Sequence, residues 1–200
     1  MRAAVALGSN LGDRLANLQK ARDQIRSLDG ASLPLAQSAV YETSPVDCEA
    51  GAENFYNAVI EIGFEKEAEA FLAELQEIER ALGRKRDLPA LDSSPTIRAG
   101  ERSQSSREPG VEAAGEAPAD RRKRNLSRTI DLDLLYFGSE RRDGVRLQLP
   151  HPRMTERKFV MQPLCDIAPD LRLPGQSKNV GELLAQLRGP DKIKRVAEAW

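Results

Sequence analysis

The chain of 200 residues has few aromatic residues, two cysteines and one histidine. The first two scarcities each argue against a class of protein. Aromatic residues make up 4% of the sequence and the formal net charge is −1, whereas a sheet that binds nucleic acid uses exposed stacking rings and a basic face. Cys48 and Cys165 are far apart and match no metal-ligand spacing, which favours two reduced thiols. We therefore expect no nucleic-acid partner.

The sequence also has no long apolar run. No segment reaches transmembrane length, and the apolar stretch from Ala3 to Leu7 is too short for the core of a signal peptide. We therefore expect a soluble, cytoplasmic protein that binds no membrane. The length suits one domain with a sizeable core, and we expect a monomer.

The hydrophobic periodicity predicts an α+β fold. Strands are predicted at Arg2–Leu7, Leu35–Thr43, Phe55–Ile62 and Arg128–Phe137, and amphipathic helices at Leu11–Leu28 and Ala68–Leu82. The order β-α-β-β-α-β is that of a ferredoxin-like fold, an antiparallel sheet with helices packed on one face. A hairpin around Asp143-Gly144 and two C-terminal helices, near Lys158–Asp166 and Val180–Leu187, complete the prediction. Many unrelated functions share this fold, so it does not decide the activity.

Segment 87–127 differs in composition from the rest of the chain. Its 41 residues include no aromatic residue, four prolines, three glycines and 14 charged residues, and the bases crowd its end at Arg121–Arg124. Such a segment buries too little apolar surface to offset the entropy lost on ordering. We expect a disordered insertion at about 87–127 within a single domain spanning residues 1–200, because strands from both sides complete one sheet.

The predicted strand Arg128–Phe137 contains two aspartates on one face. Alternation puts Asp131 and Asp133 with Thr129, opposite the apolar set Ile130, Leu132, Leu134 and Tyr136. The two carboxylates, roughly 7 Å apart along a strand, repel each other unless a positive charge lies between them. Mg²⁺ takes one or two protein carboxylates together with substrate phosphates. The strand therefore predicts a platform for Mg²⁺ and a nucleotide.

Basic residues lie in the segments that flank this strand. Arg84 and Arg86 follow the second helix, Arg128 opens the aspartate strand, and His151 and Arg157 follow it. Guanidinium groups bind phosphate oxygens and keep their charge at any working pH. Taken singly, each arginine is better explained as a solvated surface charge, and His151 as a turn residue bonded to backbone. The sequence has no Walker-type glycine loop, no kinase signature and no Ser/His/Asp arrangement with recognisable spacing.

Two further motifs have plain structural explanations. Phe55 and Asn57 share one face of their strand and could stack on and bond a flat heterocycle, but this strand alone favours a core Phe and an Asn that satisfies a strand edge. Gly8-Ser9-Asn10 is predicted to be a turn that caps the following helix.

Taken together, the motifs resemble a known family. The matching segments are Ala6–Asp13, Thr43–Val46, Phe55–Val59, Glu79, Leu82–Arg86, Arg128–Leu135 and Leu149–Val160. Outside the inserted segment the resemblance spans nearly the whole chain, and the last two segments are very specific. In these segments the chain resembles the 6-hydroxymethyl-7,8-dihydropterin pyrophosphokinases of folate biosynthesis, whose fold is ferredoxin-like.

The resemblance implies that MgATP donates its β,γ-pyrophosphate to the hydroxymethyl oxygen of the pterin and leaves as AMP. Two Mg²⁺ ions would be held by Asp131 and Asp133. The catalytic residues implied are Arg84, Arg86, Arg128, Asp131 and Asp133. The ATP-binding residues implied are Gln76, Glu79, Arg84, Arg86, Arg128, Leu134, His151 and Arg157. The pterin-binding residues implied are Thr43, Ser44, Pro45, Val46, Phe55, Asn57, Asp131 and Phe159, with the two phenylalanines on either side of the pterin ring.

The chain departs from the family in three places. The loop between Arg86 and Arg128 is far shorter in the family, where it is a mobile lid over the phosphates. Asn125-Leu126-Ser127 replaces a motif that normally ends in Pro, and Ser44 stands where Pro is common. Closing a 41-residue loop costs only about 1–2 kcal/mol more than closing a short one, so we expect an active enzyme with an altered lid.

Three alternatives remain open at this stage. The first is another Mg²⁺-dependent nucleotidyl or phosphoryl transferase with an Asp-x-Asp strand. The second is a family paralogue whose insertion has cost it the activity. The third is a ferredoxin-like nucleic-acid binder that uses Arg121–Arg124, which the scarce aromatic residues and the near-zero net charge disfavour.

Overall fold

The computed structural model describes residues 1–44, 53–83, 128–188 and 192–200. Its strands are β1 (Arg2–Ser9), β2 (Ala31–Gln37), β3 (Val40–Thr43), β4 (Phe55–Phe64), β5 (Asp131–Phe137), β6 (Arg142–Asp143), β7 (Gln148–Leu149) and β8 (Ile193–Ala197). Its helices are α1 (Arg14–Arg26), α2 (Ala68–Ala81), α3 (Lys158–Ile167) and α4 (Val180–Gln186), with a short 3₁₀ turn at Met154–Glu156. The predicted α+β fold with an antiparallel sheet and packed helices is confirmed.

The main sheet is antiparallel and has β4 at its centre. Its strand order is β5-β1-β4-β3-β8, and β2 pairs with β4 beyond the end of β3. The single strand predicted at Leu35–Thr43 is therefore two strands, β2 and β3. The break falls at Ser38, whose hydroxyl accepts the N–H of Val59 at 2.9 Å and so takes over one bond of the ladder. Strand β8 was not predicted, because its five residues include Lys194 and Arg195 and carry little apolar signal.

Helices cover both faces of this sheet. Helices α1 and α2 pack on one face through residues such as Leu18, Phe71 and Leu75, and we call it the α1/α2 face. Helices α3 and α4 pack on the other, the α3/α4 face, through Val160 and Met161. The predicted C-terminal helices are thus a second layer on the sheet. No helix within the four described stretches has an apolar run long enough to cross a membrane.

A β-bulge in β5 divides its apolar residues between the two faces. Val5 of β1 lies opposite Leu134 and Ala4 lies opposite Tyr136, so Leu135 is one residue too many in the ladder. Leu134 packs on the α1/α2 face, as alternation predicts, but Tyr136 packs on the α3/α4 face. The prediction that Tyr136 shares the face of Leu134 is therefore wrong, and the bulge is the physical reason.

Candidate active site

A row of residues crosses four strands at one end of the α3/α4 face. Asp131 of β5 lies opposite Gly8 of β1, Gly8 lies opposite Asn57 of β4, and Asn57 lies opposite Tyr41 of β3. A Cβ atom at Gly8 would lie 3.3 Å from Asn57 Oδ1, 3.9 Å from Asp131 Cβ and 3.9 Å from Phe55 Cδ1. Gly8 therefore leaves a gap, a space without a side chain, between three of the residues predicted to bind the pterin.

The amide of Asn57 is fixed in one orientation by its neighbour on β3. Asn57 Nδ2 donates to Thr43 Oγ1 at 2.8 Å, and both side chains are buried. Because the nitrogen is engaged with Thr43, the oxygen faces the gap over Gly8, where it can accept a hydrogen bond from a ligand. Ser44 follows Thr43 and is exposed. Two other residues of the predicted pterin set, Pro45 and Val46, lie outside the described residues.

Each aspartate faces one of the predicted phosphate-binding arginines. Arg128 Nη1 lies 2.6 Å from Asp131 Oδ2, and Arg157 Nη1 lies 3.8 Å from Asp133 Oδ2. The aspartate side chains are 24% and 37% exposed, so an ion or a ligand can reach both from solvent. The predicted alternation of Asp131 and Asp133 with the buried Leu132 is confirmed, and it brings two acids and two bases together at one site.

The donor set at this site suits Mg²⁺ that arrives with a nucleotide. In the parts of the chain that the structure describes, no group of three or more His, Cys, Asp or Glu residues could hold a metal ion. Two partly exposed carboxylates on one face are too few for an all-protein cage. They match the one or two carboxylates that Mg²⁺ uses when substrate phosphates and waters fill its other positions.

His151 and Arg157 lie beside Asp133. The backbone N–H of His151 donates to Leu135 O at 2.8 Å, and His151 Nδ1 accepts the N–H of Arg153 at 3.3 Å. The ring therefore presents its Nε2–H as a donor when it is neutral. Burial lowers the pKa of His151, and the charges of Arg157 and Arg153 lower it further, whereas Asp133 opposes the shift. Burial also lowers the pKa of Arg157, which remains charged at any working pH.

Phe159 lies in the first turn of helix α3, which covers the α3/α4 face. Its ring is half-buried and packs against the apolar cluster of this face. The Arg157 guanidinium lies 5.5 Å from the ring centroid, within the range of a cation–π contact. Phe159 therefore belongs to the same face of the sheet as Phe55 and Asn57.

Three residues predicted to bind ATP lie on α2 or in the core of the α1/α2 face. Glu79 is 0% exposed, and its Oε1 accepts the N–H of Leu132 at 2.9 Å, between the two aspartates. Gln76 is half-buried on the same helix, α2. The Leu134 side chain is buried in the core of the α1/α2 face, so only its backbone could meet a nucleotide. Glu79 thus reaches the backbone of β5 between the two aspartates, whereas the Leu134 side chain faces the core. The ATP contacts of all three residues stay predictions.

The structure does not describe the rest of the predicted site. Arg84, Arg86 and the whole of segment 87–127 lie outside the described residues. Their predicted roles in phosphate binding, and the predicted insertion, stay predictions.

Asn10 holds Arg128 in place, a role that the sequence did not reveal. Asn10 is fully buried, its Oδ1 accepts the N–H of Arg128 at 2.7 Å, and its own N–H donates to Arg128 O at 3.2 Å. The predicted helix cap at Gly8-Ser9-Asn10 is wrong, because Asp13 caps α1 by accepting the N–H of Ala16 at 3.0 Å. The partner of Asn10 lies 118 residues away along the chain, so no local pattern could have indicated it.

One family model matches this chain, that of 7,8-dihydro-6-hydroxymethylpterin-pyrophosphokinase, over residues 4–96 and 111–169. A 2-amino-4-hydroxy-6-hydroxymethyldihydropteridine pyrophosphokinase of Pseudomonas aeruginosa is 35% identical, over 92% of this chain and 90% of that protein. A protein of the same name from Methylorubrum extorquens is 32% identical, over 98% of each chain.

Solved structures support the fold. The crystal structure of wild-type Plasmodium falciparum HPPK-DHPS with pteroate superposes with a TM-score of 0.59 at 10% identity. The match covers 92% of this chain but 44% of that one, so the chain spans less than half of the Plasmodium protein. The family model, the relatives and the site geometry agree, and the chain belongs to the 7,8-dihydro-6-hydroxymethylpterin-pyrophosphokinase family.

Proposed function

We propose that this protein transfers the β,γ-pyrophosphate of ATP to the hydroxymethyl group of 6-hydroxymethyl-7,8-dihydropterin, a step of folate biosynthesis. The products are AMP and the pterin diphosphate. The observation that carries the proposal is the row Asp131–Gly8–Asn57, with Phe55 beside it. The row combines three features that a pterin with a reactive hydroxymethyl arm requires. The carboxylate suits Mg²⁺, the gap without a side chain admits a flat ring, and the amide oxygen accepts a hydrogen bond from the edge of the ring.

The pterin half of the site would bind the ring by stacking and by one fixed hydrogen bond. The Phe55 ring lies beside the gap over Gly8, and we propose that Phe159 closes the slot from α3. The Asn57 oxygen, oriented by Thr43, would accept from the amino or ring N–H groups of the pterin. The stacking and this hydrogen bond together would hold the hydroxymethyl arm toward Asp131.

The phosphate half would bind ATP with its β-phosphorus facing that arm. When bound, two Mg²⁺ ions supply charge neutralisation across the phosphates and lower the pKa of the attacking hydroxyl. Asp131 and Asp133 would hold them, and the arginines would then turn from the aspartates to phosphate oxygens. The C–O–Pβ bond forms, the Pβ–O bond to AMP breaks, and the hydroxyl proton passes to solvent. His151 would donate Nε2–H to the nucleotide.

We further propose a ferredoxin-like arrangement for the core. The strand order β5-β1-β4-β3, with α1 and α2 on one face, supports it. The two stretches matched by the family model flank residues 97–110, which supports a single domain with an insertion inside segment 87–127. A monomeric state is part of the same proposal and is tested by size-exclusion chromatography.

The test measures AMP released from MgATP with and without 6-hydroxymethyl-7,8-dihydropterin. We expect AMP only with the pterin present. Asp131→Ala should reduce turnover by at least about 100-fold, the order of magnitude for losing a group that stabilises the transition state. The matched control is Asp143→Ala, which removes an exposed aspartate of β6, a strand of the separate two-stranded sheet β6-β7. No pterin-dependent AMP, or equal AMP from Asp131→Ala, would refute the proposal.

A further inference from the structure

Arg14 lies beneath the predicted pterin pocket, on the opposite face of the sheet. It is the first residue of α1, and its Nη1 donates to Asn54 O at 2.7 Å and to Glu42 Oε1 at 3.2 Å. Its Cζ lies 3.9 Å from the centroid of the Tyr56 ring. One guanidinium thus contacts the backbone before β4, a side chain of β4 and a side chain of β3.

The residues that Arg14 contacts are neighbours of Phe55. Asn54 and Tyr56 are its neighbours in sequence, and Tyr56 faces α1 while Phe55 faces the gap over Gly8. Glu42 lies opposite Tyr56 in the pairing of β3 with β4, and Thr43 lies opposite Phe55. Arg14 therefore holds together the end of β3 and the start of β4 from the α1/α2 face. These strand ends carry the Phe55 ring and the Asn57–Thr43 hydrogen bond.

The contacts are of kinds that restrict motion strongly. A hydrogen bond from a guanidinium is about twice as strong as a neutral one, and an arginine held over a ring adds a cation–π contact. The Arg14 side chain is only 22% exposed, so these contacts are partly shielded from solvent. A binding slot held rigid in its bound shape loses less entropy when the ligand enters.

We propose that Arg14 is a positioning residue for the pterin pocket; this rests on the proposed function. Arg14 touches no substrate, since the sheet separates it from the gap. Its effect should be confined to the pterin, because none of its contacts reaches Asp133, His151 or Arg157 at the phosphate half of the site. No pattern in the sequence indicated this role, since an arginine in the first turn of an amphipathic helix is ordinarily a surface charge.

The test compares Arg14→Met with Arg22→Met. Arg22 is a matched control on the same helix: its Nε donates to Asp23 Oδ1 at 2.9 Å, and its Cζ lies 5.1 Å from the Trp200 ring. We expect Arg14→Met to raise the pterin KM about tenfold, the change that follows from losing one charge-assisted hydrogen bond. The ATP KM should stay within about twofold, Arg22→Met should leave both KM values within about twofold, and Arg14→Lys should restore part of the loss.

Amide hydrogen exchange gives a second readout that needs no activity. Arg14→Met should speed exchange at the amides of Phe55–Asn57, and Arg22→Met should not. An equal rise in both KM values, an unchanged pterin KM, or unchanged exchange at these amides would overturn the inference. If the native protein makes no pterin-dependent AMP, the proposed function fails, and the exchange data alone decide whether Arg14 positions this segment.

Discussion

At the scale of single residues, Gly8 lies on β1 with Asn57 of β4 on one side and Asp131 of β5 on the other. A Cβ atom would meet Asn57 Oδ1 at 3.3 Å, and a branched side chain would fill the gap. We predict that Gly8→Ala raises the pterin KM moderately and that Gly8→Val raises it by more than about tenfold, by filling the space in which the ring must lie. Steady-state kinetics with each substrate varied in turn is the measurement. A folded Gly8→Val protein with a native pterin KM would contradict the slot over Gly8.

His151 offers a residue-scale test through pH, because it is the only histidine in the sequence. Burial, Arg157 and Arg153 hold its pKa below the ordinary value of 6.5. The folded state therefore binds fewer protons at this site than the unfolded state does, and stability is lost as the pH falls from about 6.5 toward the folded-state pKa.

We predict that the free energy of unfolding of the native protein falls more steeply between pH 7.5 and pH 5 than that of His151→Gln. Urea titrations at several pH values measure the difference, and other titrating groups are common to both proteins. A difference between the two proteins that is constant with pH, or that grows in favour of the native protein at low pH, would show that the ring is not held in its neutral form.

At the scale of elements, α2 supports the start of β5 from the α1/α2 face through Glu79. Glu79→Leu leaves the Leu132 N–H without this acceptor, and we predict a loss of about 1–3 kcal/mol in the free energy of unfolding. Glu79→Gln keeps an acceptor oxygen at the same reach and should recover most of that loss. Chemical denaturation checks both variants. Should Glu79→Gln lose as much as Glu79→Leu, the hydrogen bond to Leu132 would not be what stabilises the strand.

Among the elements, the sequence predicted those whose pattern is local. Helix α2 repeats apolar residues with helical spacing from Ala68 to Leu75, and β5 alternates regularly up to Leu134, so both were recognised. The bulge at Leu135 was not predicted because it depends on the pairing of β5 with β1. Strand β8 was not predicted because its partner β3 lies about 150 residues earlier in the chain.

The candidate site divides in the same way. Asp131 and Asp133 were predictable because both lie in one strand with a clear period. The different roles of Asn10 and Asp13 were not predictable, because both residue types cap helices. Only the contact of Asn10 with Arg128 separates the two roles. The gap over Gly8 depends on the register of three neighbouring strands, and a single sequence does not reveal that register.

At the scale of the whole molecule, a segment rich in charge interrupts the chain between α2 and β5. The family model matches the chain on both sides of residues 97–110 but does not match these residues themselves. Because loop-closure entropy varies logarithmically with length, removing these residues changes the closure cost by only about 0.4 kcal/mol. We predict that a protein lacking residues 97–110 keeps turnover and both KM values within about twofold. Turnover reduced by more than tenfold would mean that the inserted residues take part in catalysis.

The central claim concerns which group moves between the two substrates, and labelled ATP tests it most directly. ATP carrying radioactive γ-phosphate is incubated with Mg²⁺, 6-hydroxymethyl-7,8-dihydropterin and the protein, with Asp131→Ala as the background, and the products are separated by chromatography. Pyrophosphoryl transfer predicts label in the pterin product and one AMP for each labelled pterin. ADP in place of AMP, or AMP without labelled pterin, would contradict it.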